Sequence, residues 1–535
     1  MKFLSTFPGR LLLCAISACL VWFAFPNFLN KTLTPPTAFL GWVALVPFFL
    51  ALRRTGPRRG FWLGLVFGFL QLGGVLYWIA LLEEAKYLSG LAWFVLVFYL
   101  SLYFGAFGWI YGWLSERTKT SGLLTGPFLW VALEYLRGSR PWGGFNWGEL
   151  GYTQAPYPAV LVFTTLAGVY GLTFLMVWFN ASLAKFMELV FEAPDSKISG
   201  SPPWSKWKYL TFPLAVLLAL LVYGNYLISS TQQKKTGTVV LLQPSIDQSV
   251  KWSKGYESET YNKISRLVAG IKGSKPDLVI WPETAAPSFL LTSPMALEKV
   301  KRIIRGTRVS NLVGCLDIRN ENGKVSQYYN GAVHFDGKGI PRGVYHKRHL
   351  VPFGEFVPFQ NYLTFLGPVI QDMGNIDFGL EYLKFEAGSF TYTPMICYEV
   401  IFPGDVQKAF KTGADALVNI SNDAWYGRTA SAYQHVMMAV VRSAEERKPL
   451  LRAANTGISL ATDPFGRILA SSNLFEETTL RADVMTVSGA PTLYSLVGNW
   501  FPCVCWLAVI FLVILAFRQK SQISDQGLIH EPEKK

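Results

Sequence analysis

The sequence predicts a polytopic bundle of about eight membrane helices carrying one water-facing α/β domain, and three observations support this. Of 535 residues, 51% are hydrophobic and only 16% charged, against roughly 25% charged in an ordinary soluble chain. Apolar runs recur at the length of about 20 residues that a helix needs to cross a hydrocarbon core of about 30 Å with its backbone groups satisfied internally. One long polar block interrupts them, and within it short strand-like runs alternate with helical patterns.

The apolar runs lie near 11–29, 36–52, 60–82, 91–114, 122–137, 158–190, 209–229 and 497–517, seven before the polar block and one after it. The fifth is short and carries Glu134, and the sixth is long enough to hold a bend or a second partial crossing. Gly60, Gly64 and Gly68 in the third form small-xxx-small spacings, which predict close helix packing. Residues 1–29 have a rival reading, because Lys2 and Arg10 precede an apolar stretch and Ile16-Ser17-Ala18-Cys19 resembles a site where a lipoprotein signal is cut. The apolar run continues through Val21-Trp22-Phe23-Ala24-Phe25, which favours a retained span.

Orientation follows from basic residues in short loops, which mark the cytoplasmic side. Arg53, Arg54, Arg58 and Arg59 follow the second run; Arg117 and Lys119 follow the fourth; Lys197, Lys206 and Lys208 precede the seventh; Arg518 and Lys520 follow the eighth. Arg137 and Arg140 after the fifth run are exceptions. Both termini are therefore expected in the cytoplasm and the polar block outside. The predicted organisation is a membrane domain at 1–230, an exported domain at 231–495, a last span at 496–518 and a cytoplasmic tail at 519–535. The net charge of +14 then reads as topology and contact with anionic headgroups rather than nucleic acid.

Pro141 to Gln154 form a loop rich in glycine and aromatic residues, expected either to anchor at the membrane interface or to line a lipid site. In the polar block, Val239–Leu242, Leu278–Trp281, Leu312–Leu316, Ala332–Phe335 and Leu417–Ile420 are strand-like, while Tyr256–Ile271, Met295–Arg305 and Ala432–Glu446 are helical in pattern. Phe390–Ile396 is β-prone, although Pro394 weakens it as a central strand. This alternation predicts an α/β domain.

Four of the six cysteines, Cys14, Cys19, Cys503 and Cys505, fall in spans, leaving Cys315 and Cys397 in the exported domain. The two either form a disulfide or remain separate thiols. Cys315 lies mid-strand among apolar residues, whereas Cys397 ends a strand before Tyr398-Glu399, a natural place for an exposed nucleophile. A thiol needs activation. Glu283, in Trp281-Pro282-Glu283, is a candidate base, and Lys347, in His346-Lys347-Arg348, is a candidate donor to an oxyanion. Both stand near predicted strand ends, so the trio suits an amide-handling thiol enzyme. His346 and His349 lack companion ligands for a metal site; neither metal nor cofactor is expected.

Trp281-Pro282-Glu283-Thr284, the run Lys347-Arg348-His349-Leu350-Val351-Pro352-Phe353-Gly354-Glu355, and Cys397-Tyr398-Glu399 resemble the Glu–Lys–Cys motifs of the nitrilase superfamily. Ser421-Asn422-Asp423-Ala424-Trp425-Tyr426-Gly427, Gln434-His435 and Arg452-Ala453-Ala454-Asn455-Thr456-Gly457 resemble, more specifically, the bacterial apolipoprotein N-acyltransferases, and the likeness covers nearly the whole chain. It implies an α-β-β-α sandwich on a membrane bundle in the bacterial inner membrane, with the sandwich in the periplasm. The implied activity moves an acyl chain from a phospholipid, through a cysteine thioester, to the α-amino group of a diacylglyceryl-cysteine apolipoprotein. By the same resemblance Glu283 is the base, Lys347 the oxyanion lysine, Cys397 the nucleophile and Glu355 a supporting glutamate. Trp252, Tyr398 and Glu399 match residues that line the substrate.

Two other classes share parts of this pattern: a membrane-tethered amidase with water as acceptor, and a non-catalytic lipoprotein-binding protein. Eight apolar runs argue against the first, and an intact Glu283, Lys347 and Cys397 against the second.

Overall fold

The computed structural model describes residues 6–82, 88–118, 122–140, 143–191, 203–247, 256–271, 273, 275–321, 324–356 and 376–527. The chain divides into two compact units, Met1–Tyr226 with Asn499–Lys535, and Leu227–Gly498.

Each apolar run of the first unit carries helix, although residues 25–29 of the first leave it and the second is α-helical only from Val46. Its helices are α1 (Phe7–Ala24), α2 (Val46–Leu52), α3 (Pro57–Val75), α4 (Leu88–Arg117), α5 (Gly122–Ser139), α6 (Pro158–Leu161), α7 (Thr164–Phe191) and α8 (Lys208–Ser230), with the last helix of the chain at Trp500–Gly527. Among the described residues five helices are long and apolar enough to cross a membrane: Phe7–Ala24, Leu88–Arg117, Thr164–Phe191, Ser205–Ser230 and Trp500–Gln519. The other predicted runs are helical but shorter or more polar: Ala38–Leu52 is short, α3 carries Arg58, Arg59 and Gln71, and α5 carries Pro127, Glu134 and Arg137. The sixth run bends as its length suggests, with Ala167 and Gly168 leaving helical geometry, Gly168 at φ 66° and ψ −170°.

Glycine explains how α3 meets α4. A Cβ on Gly60 would overlap the Gly108 carbonyl, and one on Gly64 the Phe104 carbonyl, so the two backbones touch where side chains are missing. Such contact is how helices associate where lipid removes the hydrophobic driving force. The aromatic loop, expected either to anchor at an interface or to line a lipid site, is buried from 146 to 154. Trp147, Glu149, Tyr152, Thr153 and Gln154 are buried. Arg137 donates from Nη1 to the Trp147 carbonyl at 2.8 Å, the Leu150 N–H donates to Glu134 Oε1 at 3.3 Å, and Trp42 Nε1 donates to Gln154 Oε1 at 2.8 Å. Charged groups inside an apolar bundle are costly unless paired; these two are used to hold a non-helical stretch whose backbone needs partners.

Among its described residues the second unit has thirteen strands: β1 (Gln233–Gln243), β2 (Leu278–Ile280), β3 (Ala286–Phe289), β4 (Ser310–Glu321), β5 (Lys324–Phe335), β6 (Pro341–His346), β7 (Phe385–Ala387), β8 (Phe390–Ile396), β9 (Ala416–Ser421), β10 (Leu450–Ala454), β11 (Leu460–Thr462), β12 (Ile468–Ser471) and β13 (Thr478–Val487). One sheet has the order β13-β1-β2-β4-β5-β6 with β3 beside β4; the other is β12-β11-β10-β9-β8-β7. Helices α9 (Tyr256–Ala269) and α10 (Pro294–Thr307) cover the first sheet; α12 (Ser431–Glu446) packs on the second through β10, with α11 (Pro403–Phe410) and α13 (Leu493–Val497) against it. The sheets face each other through β1 and β10 and through β5 and β8, completing an α-β-β-α sandwich.

Sequence spacing makes these layers. Ala296, Val300 and Ile304 recur every fourth residue on α10, and Tyr261, Ile264 and Val268 do the same job on α9. Both stripes pack on Val240, Leu242, Val279, Val313 and Val333 of the first sheet, each such side chain contributing about 1.5–3 kcal/mol on burial. Pro394 does not keep β8 from the sheet interior. It pairs with Val418 on one side, and on the other the short β7 reaches only Tyr392, so the missing N–H leaves no ladder partner unmet.

Candidate active site

The strands β1, β2 and β4 run parallel, as do β8, β9 and β10. Parallel strands present their carboxyl ends together, which is where open α/β sheets gather ligands. Glu283 follows β2, Lys347 follows β6 and Cys397 follows β8, so both sheets deliver to one spot. Cys397 has φ 53° and Thr284, next to Glu283, has φ 48°. Left-handed backbone at non-glycine residues is uncommon and is held only where the surroundings over-determine it. At Cys397 it turns the chain sharply from β8 into the short helical turn Cys397–Ile401.

Lys347 is 1% exposed, with its Nζ 2.8 Å from Glu355 Oε1 and 3.5 Å from Glu283 Oε1. Burial works against its charge, but Glu355, Glu283 and the neighbouring thiol together hold the ammonium above the ordinary lysine range. The Cys397 thiol is pushed up, chiefly by burial and then by Glu283, with Lys347 opposing. At rest the site therefore pairs a neutral thiol with a charged lysine. A base must remove the thiol proton before sulfur can attack.

Glu283 is held at both oxygens: Asn330 Nδ2 donates to Oε1 at 2.7 Å and the Asn422 N–H donates to Oε2 at 2.8 Å. Asn330 Nδ2 also lies 3.2 Å from Glu355 Oε1, and its carbonyl accepts from the Lys347 N–H at 2.9 Å. One asparagine on β5 thus ties both glutamates and the lysine backbone. Glu355 Oε2 accepts from the Val351 N–H at 2.9 Å, closing its own loop around the lysine.

The remaining expected residues take different positions. Glu399 is fully buried and accepts from the N–H groups of Arg348 at 2.6 Å, His349 at 3.1 Å and Ile396 at 2.6 Å, and from the Tyr345 hydroxyl at 3.0 Å. Burial pushes its carboxyl up to about 7, against those backbone donors and Lys347. It is a strut between the lysine loop and the cysteine turn. Tyr398 is buried, its ring 5.0 Å from that of Phe402 and 6.0 Å from that of His349. Trp252 lies outside the described residues. His346 and His349 turn to separate carboxylates, Asp317 at 2.8 Å and Asp405 at 3.1 Å, and the described residues contain no cluster of three metal-ligating groups. Cys315 and Cys397 are separate free thiols.

Behind the nucleophile sits a second buried charge cluster. Arg452 Nη2 reaches Asp423 Oδ1 and Oδ2 at 3.0 and 2.8 Å, His435 Nδ1 lies 3.3 Å from Asp423 Oδ1, and Ser421 Oγ donates to the same oxygen at 2.8 Å. All four side chains are fully buried or nearly so. The motif residues were visible in the sequence without roles. Asn330 was not singled out at all, and the one signal available was a polar residue ahead of the apolar run of β5.

Residues 17–182 match the family described as apolipoprotein N-acyltransferase N-terminal domain, and residues 239–491 match carbon-nitrogen hydrolase. The apolipoprotein N-acyltransferase of Geobacter metallireducens is 33% identical over 519 residues, 95% of this chain and 96% of its own. That of Haemophilus influenzae is 32% identical, covering 79% of each chain, and that of Vibrio vulnificus is 30% identical, covering 84% of this chain and 87% of its own.

Proposed function

The chain belongs to the apolipoprotein N-acyltransferase family, and from that premise we propose which residues run the acyl transfer and on which side of the membrane. Glu283 takes the Cys397 proton as sulfur attacks the ester carbonyl of a phospholipid. The oxyanion so formed faces the Lys347 ammonium. Collapse breaks the C–O bond, and Glu283 returns the proton to the departing lysophospholipid oxygen, leaving the acyl chain on sulfur. The α-amino group of a diacylglyceryl-cysteine apolipoprotein then attacks the thioester. Glu283 accepts the amine proton, the C–S bond breaks, and the proton goes back to sulfur with the amide formed. Two half-reactions let the first product leave before the second large substrate arrives.

The observation that carries this assignment is the buried Lys347 ammonium between Glu283 and Glu355. Glu355 fixes the lysine, and a preorganised cation in a dry site is worth far more to an oxyanion than one in water. Loops rich in Arg and Lys at residues 53–59 and 117–119 support a cytoplasmic placement of those loops and hence a periplasmic sandwich on the bacterial inner membrane.

The test is purified protein in detergent with phosphatidylethanolamine, followed by a diacylglyceryl peptide. Intact mass should show one acyl chain on the enzyme before peptide is added, mapped to Cys397, and acyl-peptide afterwards. Free fatty acid as the main product would mean water is the acceptor, and an acyl adduct elsewhere would overturn the assignment.

A further inference from the structure

Glu283 and Lys347 stand on one side of Cys397, and its opposite side is equally built. In the register of the second sheet Ile396 pairs with Ile420, so Cys397 and Ser421 emerge side by side from adjacent parallel strands. Ser421 pairs in turn with Ala454 on β10, and Asn419 with Arg452. Three strand ends thus set Cys397, Ser421 and Ala454 in a row, with Arg452 one level back beside Asn419, and Asn419 Nδ2 donates to the Cys397 carbonyl at 3.3 Å.

Ser421 is fully buried, its hydroxyl donates to Asp423 Oδ1 at 2.8 Å, and it stands beside Cys397 at the neighbouring strand end, where it lowers the thiol against the upward push of burial. A hydroxyl has one proton and two lone pairs, so it cannot donate to the carboxylate and the sulfur together. Asp423 does not depend on it: its two oxygens keep the Arg452 guanidinium at 3.0 and 2.8 Å and His435 at 3.3 Å.

We propose that Ser421 is a catalytic hydrogen-bond donor to the Cys397 sulfur, turning from Asp423 to sulfur whenever the sulfur carries negative charge. Asp423, Arg452 and His435 are positioning residues that hold the hydroxyl one rotation away from the sulfur. No bond is made or broken in the turn. The thiol proton still goes to Glu283; the serine proton stays on its oxygen and changes acceptor. The turn recurs in the second half-reaction, when the thioester C–S bond breaks and sulfur leaves. This proposal rests on Cys397 being the nucleophile.

The test uses the full chain in detergent with Ser421→Ala, Ser421→Gly and Ser421→Thr. Alkylation of Cys397 by iodoacetamide is followed at peptide level from pH 6 to pH 11, and acyl-enzyme formation from phosphatidylethanolamine by intact mass. Hydrogen bonds to charged groups support about a ten- to hundredfold loss in acyl-enzyme formation rate for the alanine and glycine variants. Their alkylation profiles should move up by about one to two pH units, one unit being tenfold. Threonine, which keeps the hydroxyl, should restore both, and the apparent affinity for phospholipid should be unchanged. A structural role alone would lower folded yield without moving the alkylation profile of the folded fraction. Alanine and glycine variants that alkylate within twofold of wild type across the range overturn the proposal. Wild-type protein that forms no adduct at Cys397 would instead overturn the nucleophile assignment itself.

Discussion

The two charge clusters flanking Cys397 are both buried, and both set one cation against carboxylate, yet they use different cations. In front stands Lys347, a compact ammonium on a flexible stem, 2.8 Å from Glu355 and 3.5 Å from Glu283. Behind stands Arg452, whose planar fork reaches both oxygens of Asp423 and also Asn419. A point charge can follow a developing oxyanion, while a guanidinium fork is fixed by its partners. The front cluster sets two carboxylates against one ammonium; the back sets one against a guanidinium, with a histidine that burial and Arg452 hold below its ordinary range and thus neutral. The side that reacts carries a surplus of acceptors, and the side that supports is balanced.

Removing the thiol is the largest way to test this contrast. Cys397→Ala should abolish acyl transfer and leave no acyl adduct by intact mass; residual turnover above background would remove the front cluster from the mechanism. Next comes the back: Arg452→Met leaves Asp423 buried without its fork, a change that typically costs about 3–5 kcal/mol. It should show as faster hydrogen exchange at the Leu450–Ala454 amides, and unchanged protection there would mean that the back cluster is not a support.

The front should respond in rate. Lys347→Met and Glu283→Gln should each slow single-turnover acyl-enzyme formation by about 100- to 1000-fold, equivalent to about 2.7–4 kcal/mol of barrier; rates within tenfold of wild type would contradict the assignment. Asn330→Ala removes a donor shared by Glu283 and Glu355, about 1.5–3 kcal/mol for bonds to charged groups. It should lower kcat with KM for phospholipid little changed, whereas a change confined to KM would make Asn330 a binding residue.

The smallest effect lies at the far end of α12, away from the chemistry. Burial, with Glu445 adding, pushes the Glu446 carboxyl up to about 8. A folded pKa raised above its unfolded value contributes stability that is intact below about 4.5 and is lost as pH rises through about 8. Glu446→Gln should therefore raise the melting temperature by an amount that grows from pH 5 to about pH 8 and then levels off. An equal shift at all pH values would show that the side chain is not titrating there.

Particular residues show why some of the site was legible in the sequence and some was not. Glu283, Lys347 and Cys397 each end a β-prone run within a short recognisable string, so local pattern alone placed them near strand ends. Asn330 has no such string: it matters because β5 lies beside β6 in the first sheet and brings its amide to two glutamates 47 and 25 residues away. Glu399 is named only by resemblance, and its hold on the backbone of residues 348–349, made through the turn begun at Cys397, is a long-range contact that no local string shows. The composition of the aromatic loop leaves an interface anchor and a lipid site equally open, and its burial depends on partners elsewhere in the chain, among them Arg137 and Glu134.

Apolar length and period are properties of a local stretch, and they sufficed to determine the helical runs, the polar block and its alternation of strand with helix, because water and lipid act on each segment directly. The motif strings likewise determined which thiol, carboxylate and amine to consider. The tertiary structure alone decided that two sheets bring Glu283, Lys347 and Cys397 to one point, and that Asn330 in front and Arg452 behind hold them there. Such contacts join residues far apart in the chain, and their energies depend on burial and on which partner arrives at hydrogen-bond distance. Neither is set until the sheets have paired.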